Sequence, residues 1–535
     1  MLLLIFLFIG ISLSLAQVKV TGTVTSSEDK QPIVGASVLA KGTTVGTITD
    51  MDGKFVLPNV PESAKTLVIS YIGMKTKEVG IQSNLKIILD PDTKVLDEIV
   101  VTAMGMKRSE KTLGYAATTV KAENLDLAKS GSVMGGLSGK VAGVQITAAG
   151  DAGSSQKVLI RGISSLNSNA PLYIVDGVPI NNSRSGNNDA DFGNAANDIN
   201  SEDVESVTVL KGASATALYG SRASNGVIMI TTKKAGVEKL SVTYDGSFFA
   251  SNVLRVMQTQ NLYGQGWGSW DRHENGSWGS RLDGTIHEWG ADGKYLSTGE
   301  AMTKPYSYVK HNLRDFYQTG LEMNNNLTLR YGTEKLGIVA SYGNLKSNGI
   351  MPNNTDKYSR NTFSLRGYAK IDKFSFDMSM NYVRKDIRRP EQMYQELLQH
   401  GVDVGFKQMK DYNDERYNFA NYYTWYANNP YWMLDNYYYT YQDDRVYGKM
   451  EGSYDIMKGL KATVRVGGDF SNSRQENMEA KENIVPGTYA FEGGKAPEKG
   501  KYSRYAYNRG EIDATALLNG DYKLGEDFSL NATVR

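Results

Sequence analysis

An all-β sandwich, then an α+β domain, then part of a transmembrane antiparallel β-barrel is the architecture this sequence predicts. Residues 18–90 carry short alternating strands broken by turns. Residues 201–234, SEDVESVTVLKGASATALYGSRASNGVIMITTKK, place two strand patterns (Val204–Leu210 and Val227–Thr232) around glycine-rich turns and a short helix over 211–219. From Leu240 to Arg535 the chain becomes a series of tyrosine-rich segments in which apolar and polar residues alternate, the period of a strand with one wet and one dry face. A glycine-rich domain followed by a long amphipathic β-array reads as a plugged outer-membrane barrel.

Composition agrees. The chain has 535 residues and a net charge of +1, without the clustered basic face of a nucleic-acid binder. It has no cysteine, which excludes disulfides, thiolate catalysis, zinc-finger spacing and an N-terminal lipid anchor. Tyrosine (33) outnumbers phenylalanine (15) and tryptophan (6) together, as suits surfaces with one dry and one wet edge. Leu2–Leu15 is apolar and ends in Ser14-Leu15-Ala16 before Gln17, so residues 1–16 read as a signal peptide, although no Lys or Arg precedes the run. No segment approaches the roughly 20 apolar residues of a spanning helix, so strands must make any membrane span.

Residues 17–90 are expected to form a β-sandwich from five segments, 18–27, 32–42, 46–60, 66–75 and 85–91, with Asp52-Gly53 as a tight hairpin turn. Asp50 and Asp52 read as turn formers rather than calcium ligands, because the distal glutamate of an EF-hand loop is missing. Residues 91–106 form a linker. Within it, Asp97, Glu98, Ile99, Val100, Val101, Thr102 and Ala103 make a short β-prone patch able to add a strand to a partner's sheet edge. Residues 107–235 make the α+β domain, with the runs 137–147, 157–165 and 171–180 joining 201–234. Nine amphipathic segments follow over 236–535: 240–251, 325–332, 337–347, 361–371, 374–385, 445–456, 460–471, 511–524 and 528–535. Short turns at Lys458-Gly459 and Gly525-Glu526-Asp527 alternate with long aromatic inserts at 252–320, 386–443 and 473–508.

No catalytic set emerges. His273, His287, His311 and His400 lie in no metal-binding spacing, no nucleophile elbow is present, and Gly264-Gln265-Gly266-Trp267-Gly268 lacks the Lys-Ser/Thr of a phosphate loop. The carboxylates of Asp443-Asp444 define no cleft. Neither an enzyme nor a cofactor is expected.

In their order, these motifs resemble a known family. Gly22–Val24, Pro32–Val38 and Thr49–Phe55 resemble the carboxypeptidase-regulatory-like domain. Asp97–Ala103 resembles a TonB box, and the four runs of 107–235 resemble the plug of the SusC/RagA branch of TonB-dependent outer-membrane transporters. The resemblance implies a 22-stranded barrel, of which about nine strands are present, and hence a longer protein. It implies uptake of oligosaccharides or peptides, energised by TonB with ExbB/ExbD, alongside a SusD-like lipoprotein lid. It also nominates Arg161 and Arg222 as plug arginines that latch onto wall carboxylates, and Gly212, Gly220 and Gly226 as plug turns. Leu166–Ala170 and Asn181–Asn197 become an irregular ligand-facing apex, and Trp267, Trp270, Trp425 and Trp432 loop aromatics for ligand. An aromatic girdle at the lipid interface is the competing account of the tyrosines among 422–441. A surface adhesin without transport and a signalling transducer are the other readings of the whole chain.

Overall fold

A computed structural model describes every residue except 1–17, 28, 44, 62–63, 72–73, 91–98, 102–106, 110–116, 127–131, 149–152, 167, 184, 186–189, 213–218 and 525–527. The signal-peptide reading therefore falls outside the described residues, as does most of the helix expected over 211–219. The chain divides into two compact units. One is built from residues up to Ile99, the other from Leu113 to Arg535, with 100–112 shared between them.

Among the described residues the first unit contains seven strands, β1 (Val18–Ser26), β2 (Ser37–Ala40), β3 (Gly46–Ile48), β4 (Lys54–Val60), β5 (Thr66–Ser70), β6 (Lys77–Gly80) and β7 (Asn84–Leu89). They form two sheets, ordered β4-β1-β7 and β3-β2-β5-β6. Alternate residues bury Leu85, Ile87 and Leu89 of β7 with Val20, Val24, Leu67 and Ile69, each contributing about 1.5–3 kcal/mol. Two expectations need correction. Segment 46–60 splits into β3 and β4, which pair in different sheets, so Asp52-Gly53 joins the sheets rather than closing a hairpin. Strand β6 was not foreseen, being short and half charged. Asp50 spends its carboxylate on the amides of Asp52 and Lys54, at 2.9 and 2.8 Å.

Strands β8 (Ile99–Val101) and β9 (Lys107–Ser109) form a two-stranded ladder. The second unit then opens with β10 (Ala117–Lys121), β11 (Val144–Ala148), β12 (Gln156–Ile160), β13 (Leu172–Val175), β14 (Val178–Ile180), β15 (Val204–Leu210) and β16 (Val227–Thr232). Five of these make one sheet, β10-β15-β16-β13-β14, and β11 pairs with β12. Strands β15 and β16 are nearly all buried, as their continuous apolar runs require.

Nine strands build a continuous antiparallel sheet in chain order, called the wall below. It starts at β17 (Glu238–Ser251). After a long loop carrying β18 (Gly266–Trp267), β19 (Ser277–Trp278), β20 (Ile286–Trp289) and β21 (Met302–Pro305), it continues as β22 (Gly320–Gly332), β23 (Leu336–Asn348), β24 (Lys357–Ile371) and β25 (Phe374–Pro390). It is completed by β26 (Tyr437–Met457), β27 (Leu460–Glu482), β28 (Glu498–Leu524) and β29 (Phe528–Val534). Each expected amphipathic segment lies on one of these strands. Several strands run further than expected, however: β22 starts at Gly320, β24 at Lys357, β25 reaches Pro390, β26 starts at Tyr437, β27 reaches Glu482 and β28 begins at Glu498, which shrinks two inserts to 391–436 and 483–497. The extensions interleave tyrosines with charged and amide residues on both faces, so apolar–polar alternation does not reveal them, but the ladder persists from Tyr437↔Glu479 to Glu482↔Glu498.

The wall has two unlike faces. One exposes Phe376, Met380, Val446, Met450, Val464 and Val466. On β25 this apolar stretch runs from Phe374 to Tyr382, nine residues or about 30 Å at ~3.3 Å per residue. Tyr342, Phe363 and Tyr382 line one edge, with ring centroids 4.7 and 6.3 Å apart, and Phe374 and Tyr454 meet at the other at 4.6 Å. Beyond the first edge the same face turns polar, where Arg384 pairs with Asp444 and Asp386. The other face is buried yet polar: Arg360, Thr362, Ser364 and Arg366 succeed one another on β24.

Gly22 is a strict requirement of the sandwich, since a Cβ there would sit 2.5 Å from Leu85 O and 2.7 Å from the Phe55 ring. Gly22→Val is expected to destabilise the first unit by about 2 kcal/mol, read as a lowered midpoint of its chemical unfolding. An unchanged midpoint would contradict the packing described.

Candidate functional site

The polar face of the wall is where residues 117–236 are held. The chain from Asn194 to Asp203 forms two successive 3-10 turns, Ala195–Asn197 and Ser201–Asp203, which aim Asp198 and Asp203 at the wall. Asp198 lies 2.8 Å from Lys385 on β25 and 2.7 Å from Arg445 on β26. Lys385 also reaches Asp443 at 3.2 Å. Arg445 grips Asp469 of β27 with two N–H groups, at 2.7 and 2.6 Å, and donates to Asn181 O at 3.1 Å. The side chains of Asp198, Lys385, Asp443, Arg445 and Asp469 are almost wholly buried. Asp203 accepts from Ser341 and Ser364 at 2.7 and 2.9 Å and faces Arg366 at 3.3 Å.

Further attachments spread along the wall. Asn200 donates to Asn326 at 2.9 Å, Arg360 donates to Asn197 O, and Lys234 pairs with Asp377 at 2.5 Å. Phe192 stacks on Tyr441 with ring centroids 4.8 Å apart, and Val383 and Tyr447 of the wall complete the apolar core beneath β15 and β16. Close approach needs small residues at two points: a Cβ on Gly343 would lie 2.8 Å from the Asn200 amide, and one on Gly467 2.5 Å from Val178.

Burial pushes the Asp198 carboxyl up, but Lys385 and Arg445 outweigh it and hold the group below the ordinary carboxylate range. Asp203 is likewise raised by burial and brought below that range by Arg366 and the two serines. Both are ionised at neutral pH. A buried ion pair adds little net stability against an apolar contact, but breaking one partner away is costly. Such contacts hold a body in one register while leaving polar surfaces that water can re-solvate on separation.

The sequence-nominated residues are distributed unevenly. Arg222 reaches Glu511 of β28 at 2.6 Å. Arg161 stays within residues 117–236: its backbone bends at φ +61°, its N–H donates to Gly143 O at 2.7 Å, and its guanidinium lies over Gly212. Among the described residues Arg161 makes no ion pair, so the latch expected of it is not present. The buried attachments run instead from the carboxylates Asp198 and Asp203 to cations on the wall. Gly212, Gly220 and Gly226 all have positive φ; at Gly226 a Cβ would also meet Ile160 and Leu210 O. Of Asn181–Asn197, expected to be a free apex, Ala190, Phe192 and Ala195–Asn197 are buried, because the wall packs over them. Asn169 caps the turn at Ser164 and Ser165, accepting from both amides. Asp97, Glu98, Thr102 and Ala103 lie outside the described residues; Ile99, Val100 and Val101 form β8. Asp443 and Asp444 point to opposite faces of β26 and form no carboxylate pair.

The long inserts fold together. Trp289, Phe316, Phe406, Tyr422, Tyr423 and Tyr431 share a buried cluster, stitched by the buried Lys304–Asp403 pair and by Gln265 N–H donating to Asp403 at 2.7 Å. Trp432 belongs to this core, packed on Phe419 and Tyr437, and is thereby removed from the ligand-facing set. Trp425 stacks on His273 at 4.4 Å, Trp270 meets His287 edge-on at 4.7 Å, and Trp267 is exposed. Of the tyrosines of 422–441, Tyr422, Tyr423, Tyr431 and Tyr437 pack in the loop core and Tyr441 on the wall's buried face, while Tyr426 is exposed and Tyr438 lies under Arg388; the aromatic edge of the wall is made by Tyr342, Phe363 and Tyr382. Among the described residues no cluster of His, Cys, Asp or Glu could hold a metal ion, and no helix is long and apolar enough to cross a membrane.

Residues 20–129 match the CarboxypepD_reg-like domain family, and 109–227 match the TonB-dependent receptor plug domain. Over 353 residues the chain is 34% identical to the TonB-dependent receptor SusC of Bacteroides thetaiotaomicron, covering 65% of this chain and 32% of that protein. The chain belongs to the SusC/RagA-type TonB-dependent receptor family. A TonB-dependent receptor of Formosa agariphila is 32% identical over 379 residues, 70% of this chain and 33% of that one. The SusC/RagA-type chain thus spans about a third of the length of these curated relatives. Its fold is similar to the RagAB peptide importer in the closed-closed state (TM-score 0.56, 20% identity, 79% of this chain and 47% of that one) and in the open-open state (TM-score 0.56, 19% identity, 81% and 48%). The body held on the wall is accordingly its plug.

Asp198→Asn is expected to weaken plug seating by about 3–5 kcal/mol, visible as faster proteolysis within 107–235 at neutral pH. An unchanged rate would contradict the role given to Asp198. Because Asp198 and Asp203 titrate below the ordinary carboxylate value when folded, their contribution is complete above that value and lost as pH falls through the lower one. Plug protection should therefore hold from neutral pH to about 4 and fail only below; loosening near pH 6 would show that other groups control it.

Proposed function

We propose that this SusC/RagA-type chain serves energised uptake of an oligosaccharide or peptide across the outer membrane of a Gram-negative bacterium. The observation that carries the reading is a plug fastened by buried ion pairs to the polar face of a sheet whose opposite face is apolar and exposed. An apolar band about nine residues long, edged by aromatic rows, suits lipid. A polar, hydrogen-bonded inner face suits a plug that must part from it. Asp97–Ala103 is the handle: TonB, driven with ExbB/ExbD by the proton-motive force, pairs with it as an added strand and pulls. The sandwich and handle lie on the periplasmic side, and the loop assembly around Phe406 and Tyr422 faces outward. A SusD-like lipoprotein closes over that side. The names of the similar proteins support the transport reading. The RagAB structures are those of a peptide importer.

Deleting Asp97–Ala103 is expected to abolish growth on the ligand while surface binding persists; unchanged growth would favour an adhesin. The lipid reading has its own test. Met450→Lys, at the exposed centre of the apolar band, should cost about 2–4 kcal/mol and reduce folded protein in the membrane fraction. Gln442→Lys, on the same face of β26 beyond the aromatic edge, should have no such effect. Equal tolerance of both substitutions would contradict the assignment of that face to lipid.

A further inference from the structure

The loop assembly contains a cleft of about 920 Å³, separate from the plug–wall interface. Its walls are segments 254–260 and 308–314, and its floor is Leu313, Val402 and Phe406. The floor is rigid. Leu313 and Phe406 belong to the buried loop core, and Asn312 ties the walls to it, donating to Val404 O at 2.7 Å and accepting from Phe406 N–H at 2.9 Å. Val309 N–H donates to Val402 O at 3.0 Å, and Met257 N–H to the Tyr394 hydroxyl at 3.1 Å. The cleft is thus held open by fixed backbone rather than formed by collapse onto a ligand, the arrangement that loses least entropy on binding.

Its lining has one sign of charge. Arg255, Lys310 and Arg314 line it, and among the described residues no carboxylate does. Several loop cations elsewhere meet acids: Lys304 pairs with Asp403, Lys407 with Asp315 and Arg272 with Glu288. The three cleft cations form no ion pair among the described residues. Beside them stand two flat rings, Trp278, 60% exposed, and Tyr308. Trp278 is fixed in place because β19 pairs in parallel with β18, setting Trp267 opposite Trp278. Gln258 and Thr259 add amide and hydroxyl groups.

We propose that this cleft binds an acidic oligosaccharide, one whose sugar rings bear carboxylate or sulfate. The rings stack their C–H faces on Trp278 and Tyr308, their hydroxyls meet Gln258 and Thr259, and the anionic groups meet Arg255, Lys310 and Arg314. The volume lies within the range of small-molecule sites. An acidic peptide shares the charge but takes affinity from main-chain pairing on a sheet edge, and the cleft walls 254–260 and 308–314 carry no strand. The proposal names the ligand class for the uptake reading above and rests on it only for the fate of the ligand, since the binding step needs neither TonB nor the handle.

The test is calorimetric titration of the whole chain, purified from membranes in detergent, with a tetragalacturonate, a sulfated tetrasaccharide, a neutral tetrasaccharide and tetraglutamate. The expected result is binding of at least one acidic sugar, more than about tenfold tighter than the neutral one and weakened by salt. Arg255→Glu with Lys310→Glu, both exposed and outside the core, should weaken it at least about tenfold, as should Trp278→Ala. Equal binding of neutral and acidic sugars, or no effect of charge reversal, overturns the proposal. Tetraglutamate binding as tightly as the sugars overturns the assignment to a glycan. Deletion of Asp97–Ala103 separates the two levels: binding retained with uptake lost supports both, whereas binding retained with uptake unaffected overturns the role given to the handle and leaves the binding proposal standing.

Discussion

Asp198 sits between Lys385 and Arg445 with no water-exposed surface to relieve it, and the rest of the second unit is arranged around that constraint. Three carboxylates and two cations share the site, so every member is held by its neighbours and none can be lost without exposing another. Removing charge from water is expensive, and the cluster persists only because Arg445 is gripped by Asp469 with two N–H groups and because the two 3-10 turns fix the plug chain at the right height. The interface is accordingly specific in register. It is also wet by nature, since each half carries groups that water will accept once the halves separate.

The wall meets two opposite demands with one period of two. Arg360, Ser364 and Arg366 face the plug on β24, while Phe363 and Leu365 between them face outward. A one-residue slip would put charge into the apolar band and leucine against Asp203, so register is fixed from both sides at once. Close contact imposes a further condition at Gly343 and Gly467, where plug side chains occupy the space a Cβ would fill. Where the strands leave the band, the outward face changes to Arg384, Asp386 and Asp444, and the loops condense around Trp289 and Phe406 into a body of their own.

Much of this was legible in the chain. The nine wall segments declared themselves because apolar outward residues and plug-facing residues alternate, and β15 and β16 because both their faces are largely buried. The attachment of the plug was not, since Asp198 and its partners are 187 to 271 residues apart and a lone aspartate in an Asn-rich run carries no mark of burial. Arg161, chosen by resemblance, sits on a left-handed bend that keeps it within the plug. The loop core escaped notice for another reason: tryptophans and tyrosines in irregular chain have no period to show which are inside, so Trp432 and Trp267 looked alike although one is buried and the other exposed. Strand extensions past the apolar band were hidden because tyrosines and polar residues there fall on both faces without a clean period of two.

The central claim is that the plug must part from the wall for cargo to pass. The chain has no native cysteine, so a single engineered pair reports without background. A Cβ on Gly467 would lie 3.1 Å from that of Val178, close to disulfide spacing. With Val178→Cys and Gly467→Cys oxidised, ligand binding should remain while uptake stops, and reduction should restore uptake. Undiminished uptake through a plug covalently fixed to the wall would contradict the account.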